Sequence, residues 1–320
     1  LVVLLTLLVT TAAAGTLDDA RSAARAGDVE AAKQHLLDYL VEEKQDAADL
    51  LDAARMAIDL GDLDLVERAQ GRAEIAAAEA DDPRLELAMG LCYLALADGR
   101  LRAGGGGPTL AMLFADAEAR ARKVKETLAW APQGRVLLAR ARYAVGDLPG
   151  AIAALEDGPM ETPREHYRLG RLLYERALKP NPQHAAPLEE QTRRDLRDAL
   201  QQLQSADVEQ LEPGEPFLAH LSQAWIAHRL ASLEPPHRDA YVKAAVENYR
   251  AAWGQEKTSP LPLRGLGSLF ANAPRDLALT LEAMLEAHGE DPILLAAVAN
   301  AWLAAKDGTR TLLALERRIA

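Results

Sequence analysis

The sequence predicts an all-α protein, a solenoid of stacked antiparallel helical hairpins. Three observations carry this. Ala and Leu dominate a chain of 320 residues that is 49% hydrophobic yet only 4% aromatic, and β-branched runs are scarce beyond the extreme N-terminus. A Gly-Asp pair recurs between helix-like runs, at Gly27-Asp28, Gly61-Asp62 and Gly146-Asp147, and the first two glycines are 34 residues apart. Apolar residues between these pairs follow the period of a helix rather than of a strand.

Residues 1–14 come first. The stretch "LVVLLTLLVTTAAAG" is an apolar run followed by small residues, and Ala12-Ala13-Ala14 fits a small-x-small cleavage site with Gly15 as the first mature residue. It reads as the back half of a secretory signal peptide, on a chain expected to be truncated at its start because an initial Met and a basic n-region are missing. The apolar run is shorter than the roughly 20 residues that span a bilayer. The alternatives are an apolar helix packed on the fold and an uncleaved membrane anchor. The expected location is periplasmic or secreted.

From residue 15 to 320 the pattern is one array of about eight hairpins. Glycine ends a helix in the left-handed conformation without a Cβ penalty. The following aspartate then caps the next helix by accepting its free backbone N–H groups. Ala31, Ala32, His35, Leu36 and Tyr39 share one helix face, and Leu50, Leu51, Ala54, Ile58 and Leu60 suggest the same for the next helix. Each pair is too short to bury its own apolar face, so neighbours must stack. Two insertions break the period. Gly104 to Gly107, followed by Pro108, lengthens one turn, and three prolines in "LKPNPQHAAPLEEQ" interrupt residues 178–191. The last helix, "TRTLLALERRIA", leaves room for a continuation.

These elements resemble the tetratricopeptide repeat family in degenerate form. Met89-Gly90-Leu91-Cys92-Tyr93 and Leu169-Gly170 are similar to its first-helix element. Ala245-x-x-x-Tyr249-x-x-Ala252 and, more loosely, Ala32-x-x-x-Leu36 resemble its second-helix element, and Pro132 and Pro292 stand where a closing proline opens the next repeat. The resemblance implies a right-handed α-solenoid whose first helices line a concave surface. With Gly146-Asp147 and Leu169-Gly170 setting the register, Arg140 and Tyr143 project into that groove from one repeat. Arg164, Tyr167, Arg171 and Tyr174 do so from the next. Arginine forms bidentate bonds to carboxylates and tyrosine adds contact area with a polar tip, so an acidic protein or peptide is the expected ligand.

No catalytic residue, cofactor site or metal site emerges. The run Gly104 to Gly107 lacks the Gly-Lys-Ser/Thr of a phosphate-binding loop, and "RGLGSLFANA" lacks the third glycine of a dinucleotide fingerprint. Its Gly265 and Gly267 read as close helix packing. The seven histidines are dispersed, and His220 and His228 are eight apart on one helix, poorly aligned for a metal. Cys92, the single cysteine, lies on an apolar helix and reads as buried and inert. The basic run 118–126 is interleaved with acids and reads as a solvated face. A net charge of −12 argues against nucleic acid as partner. No membrane association is expected once the signal is removed. The function predicted is an exported, non-enzymatic protein-interaction scaffold. The alternative is the helical, non-catalytic portion of a larger enzyme or of a secretion or envelope assembly.

Overall fold

In the computed structural model, which describes residues 16–42, 45–179, 188–289 and 291–319, the chain forms α-helices and no strand among those residues. Contacts divide it into two compact units that meet in sequence at Met160 and Glu161. The first unit holds α1 (Leu17–Arg25), α2 (Val29–Val41), α3 (Ala47–Asp59), α4 (Leu63–Glu79), α5 (Pro83–Arg102), α6 (Pro108–Glu126), α7 (Ala131–Ala144) and α8 (Leu148–Glu156). The second holds α9 (Pro163–Leu178), α10 (Leu188–Ser205), α11 (Glu215–Leu233), α12 (Arg238–Gln255), α13 (Leu261–Leu269), α14 (Pro274–His288), α15 (Pro292–Ala304) and α16 (Gly308–Ile319). The signal-like segment 1–14 and Gly15 lie outside the described residues, as does 180–187 within the proline-rich insertion. Among the described residues no helix is long and apolar enough to cross a membrane.

The Gly-Asp pairs build the turns. At α1–α2, Gly27 takes φ +78°, its N–H reaches Ala24 O, and the N–H of Asp28 reaches Ala23 O. The Asp28 carboxylate then accepts from Ala31 N at 3.1 Å and caps α2. Gly61-Asp62 and Gly146-Asp147 repeat the arrangement with φ +66° and +84°. Three residues thus satisfy the last carbonyls of one helix and the first N–H groups of the next, each cap being worth about 1 kcal/mol. The Asp62 carboxylate is held below the usual range by the Leu65 N–H and by Lys33, whose ammonium is 3.2 Å away. Its stabilising contribution is therefore complete above the ordinary aspartate range and is lost as pH falls through the depressed value.

A fourth turn of this kind carries no glycine. Between α15 and α16, Lys306 sits at φ +61°, the only non-glycine at positive φ among the described residues. Its N–H reaches Leu303 O, the N–H of Asp307 reaches Trp302 O, and the Asp307 carboxylate accepts from Arg310 N.

Packing follows the tetratricopeptide-like pattern within each unit. Consecutive helices pair as hairpins (α1–α2, α3–α4, α5–α6, α7–α8, then α9–α10, α11–α12, α13–α14, α15–α16), and the first helix of a hairpin also meets a helix of the hairpin before it in the same unit. Small residues set the spacing. A Cβ on Gly134 of α7 would overlap the Lys125 backbone of α6, and one on Gly90 of α5 would overlap Leu137 of α7. Gly265 of α13 lies against the Tyr249 ring of α12 in the same way, whereas Gly267 faces open space and plays no part in packing. The expectation of close packing therefore holds at one glycine of that pair and fails at the other, because only one of two residues spaced by two can face a neighbouring helix. The motif residues fall in the expected helices: Met89–Tyr93 and Leu169-Gly170 in first helices, Ala245–Ala252 and Ala32–Leu36 in second helices.

Replacing Lys306 with glycine should stabilise the chain by about 1 kcal/mol, the relief of left-handed strain exceeding the added entropy of the unfolded state. A higher urea midpoint followed by tryptophan fluorescence, with unchanged slope, is the expected result. An unchanged or lower midpoint would show that the left-handed lysine carries no strain.

Candidate functional site

Three first helices of the second unit, α9, α11 and α13, stand side by side, α11 touching both others. Between them, and walled by α10, lies an open cleft of about 620 Å³. Tyr174, Ala177 and Leu178 come from α9, Thr192 and Leu196 from α10, Trp225, His228, Arg229 and Ser232 from α11, and Ser268 from α13. The spacing on α11 explains its share: residues three, four and seven positions after Trp225 fall on one helix face. Arg176 of α9 fastens α10 in place. Its guanidinium binds the buried Asp195 carboxylate at 2.8 and 3.0 Å, and Gln191 adds a third bond at 2.7 Å. Leu196, next to Asp195, is thereby held against the cleft.

The cleft joins an apolar wall to a positive rim. Trp225 packs on the core of the unit. Among the described residues no aspartate or glutamate lines the cleft, although the chain carries 48 of them. Arg229 is exposed and makes no ion pair with a carboxylate among the described residues. His228 is half-buried, and its Nδ1 lies 3.4 Å from the hydroxyl of the fully buried Tyr249. Burial, and then the adjacent Arg229 charge, lower the His228 pKa, so its ring is neutral near pH 7. Burial raises the Tyr174 pKa against the opposing pull of the Arg171 and Arg229 charges. Charge-bearing hydrogen-bond donors over an aromatic and aliphatic wall can hold a carboxylate next to an apolar side chain.

The six residues expected to line a groove divide between the units. Arg140, half-buried, and Tyr143, 42% exposed, sit on α7 of the first unit. The other four are on α9. Tyr174 lines the cleft, and Arg171 lies beside it. Tyr167 does not reach the surface. It is 2% exposed, part of the core, with the Arg168 guanidinium 5.3 Å from its ring centre. Seven residues separate it from Tyr174, yet packing between α9 and its neighbours covers one and leaves the other half-open. Arg164 is engaged by Glu212 at 2.6 Å and so is already paired.

Trp225, His228, Arg229 and Ser268 were not anticipated. Trp225 follows Tyr174 by 51 residues, not 34, because the proline-rich insertion and the extended α10 intervene. A repeat register read from sequence cannot cross that gap. Elsewhere the structure agrees with the expected burial of Cys92. Cys92 is buried and its thiol is pushed up to about 12 by burial, far from a reactive thiolate. The basic run is engaged in ion pairs, Arg120 and Lys123 with Glu86 and Arg122 with Glu118. Among the described residues no cluster of His, Cys, Asp or Glu could hold a metal ion.

Among solved structures the chain is similar to the apo form of the quorum sensor NprR from B. thuringiensis, with 13% identity, 95% of this chain and 85% of that chain covered, and a TM-score of 0.45. It is also similar to the human IFIT1 dimer with PPP-AAAA, at 14% identity, 94% and 80% coverage and a TM-score of 0.33. A third similarity, at 15% identity, 93% and 80% coverage and a TM-score of 0.23, is to the P58(IPK) TPR domain. No protein-family model and no curated protein matches the sequence.

Gly265→Ala should push Tyr249 aside and lower stability by about 1–3 kcal/mol. Gly267→Ala, which meets open space, should be neutral or stabilising by up to about 1 kcal/mol through helix propensity. Urea unfolding followed by tryptophan fluorescence separates the two, and equal effects at both positions would contradict the packing described.

Proposed function

We propose that this chain is a non-enzymatic, helical interaction scaffold that holds an acidic peptide segment in the cleft between α9, α11 and α13. One observation carries the reading: on a chain of net charge −12, this cleft combines an aromatic and aliphatic wall with arginine and histidine and has no carboxylate among the described residues of its lining. The negative chain as a whole repels polyanions, while the local positive rim accepts a short acidic segment, which favours peptide over nucleic acid. Arg171 and Arg229 would meet carboxylates, and Trp225, Tyr174 and Leu178 would cover an adjoining apolar side chain. The mechanism is binding to a preformed surface, without covalent chemistry. We place the protein outside the cytoplasm on the strength of the signal-like residues 1–14, a reading that a mature chain beginning at Gly15, detected by mass spectrometry of protein from its source cells, would support.

The test uses a blocked, rhodamine-labelled dodecapeptide of Glu, Leu and Gly, its Gln-for-Glu analogue, and a labelled single-stranded RNA of similar length. The acidic peptide should bind, and the Gln analogue should bind at least about tenfold more weakly. Arg229→Glu and Arg171→Glu should each weaken the acidic peptide about tenfold, with the loss shrinking at high salt. Tighter binding of the RNA, or equal binding of both peptides, would overturn the proposal.

A further inference from the structure

Among the described residues that line the cleft, one has a charge that can change near neutral pH. His228 shares the α11 lining with Arg229, and no carboxylate of the cleft competes for either. The groups that face it are few. Tyr249 of α12 touches Nδ1 through its hydroxyl, Tyr174 comes from α9, and Arg229 is its neighbour on α11. From α10 and α13 come only Thr192, Leu196 and Ser268, none of which titrates in this range. Both tyrosine hydroxyls are held neutral by burial, with pKa values raised further from neutrality. In the free protein His228 therefore meets a neutral floor and one positive neighbour.

We infer that His228 and Arg229 together form the anion subsite of this cleft, and that His228 takes up a proton when the carboxylate of an acidic side chain enters it. The inference rests on the peptide reading above and adds its regulation. An entering carboxylate supplies the negative charge that the empty cleft lacks, and it displaces solvent from a half-buried ring. Both Coulomb attraction and a charge-assisted hydrogen bond favour imidazolium over imidazole in the complex. The His228 pKa is thus depressed in the free protein and raised in the complex. Binding then consumes a proton between those two values. Affinity rises as pH falls from the higher value toward the lower, and is level outside that interval. Glutamate side chains of the ligand stay ionised throughout, since they titrate near 4.3.

The experiment measures anisotropy of the rhodamine-labelled Glu/Leu/Gly dodecapeptide with the whole chain at several pH values. Between about pH 7.5 and about pH 5.5 the wild-type dissociation constant should fall about tenfold, the factor that one unit of pKa difference supplies. His228→Gln should bind with the weaker affinity and show no such slope, while Arg229→Gln should bind more weakly and keep the slope. Circular dichroism verifies that each variant is folded. A second measurement needs no variant: the imidazole resonance of His228, followed by NMR in wild-type protein, should titrate at higher pH when the peptide is saturating. Peptide binding that is independent of pH, or a His228 titration unmoved by peptide, would overturn the inference and leave the peptide reading standing. Absence of peptide binding at every pH would sink both.

Discussion

Four of the hairpins, α1–α2, α3–α4, α7–α8 and α15–α16, depend on reversing a helix within three residues while pairing the last carbonyls of one helix and the first N–H groups of the next. The device is a residue in the left-handed conformation followed by aspartate. The left-handed residue folds the chain back so that its own N–H and the next one close the preceding helix. The aspartate that donates the second of those N–H groups uses its carboxylate to open the following helix. Because one residue serves both ends, the two helices start close together and antiparallel, and their apolar faces are already opposed. Only then can alanine and glycine bring the backbones near enough for a core that has few aromatic side chains.

That device was legible in the sequence wherever glycine supplied it. Gly27, Gly61 and Gly146 announced their turns because glycine is the one residue that enters the left-handed region freely. Lys306 announced nothing, although it makes the same turn, since lysine has no preference for that conformation and only the hydrogen bonds of the turn hold it there. Pattern reading also placed Gly90 and Gly170 in first helices and Tyr249 in a second helix. It could not say that Tyr167 would be covered and Tyr174 left half-open. Those two differ in which neighbours lie over them, and neighbours are set by tertiary packing. The cleft was legible in part: Tyr174 was among the residues expected at a groove, and Trp225, His228 and Arg229 were lost behind an insertion that breaks the repeat.

Charge is distributed with similar economy. Several arginines in the second unit are spent on carboxylates of the same unit, among them Arg164 on Glu212, Arg168 on Glu215, Arg176 on Asp195 and Arg197 on Glu234. Several of those carboxylates are buried, so each needs a cation nearby to be tolerated. Arg229 differs from these four because its helix face opens on the cleft rather than on an acidic neighbour. The difference between a structural arginine and a candidate recognition arginine is therefore a matter of what faces it, and composition alone cannot express it.

Tyr249 has a consequence for how such a protein can diversify. Its ring is the surface on which Gly265 lets α13 settle, and its hydroxyl is what His228 rests against at the floor of the cleft. The same side chain is thus a spacer between helices and the support behind a residue that lines the cleft. A methyl group gained at position 265 would shift that support, so the placing of His228 depends on a contact that never reaches the surface. Drift in the scaffold and change in the shape of the cleft are then not separate variables in this unit.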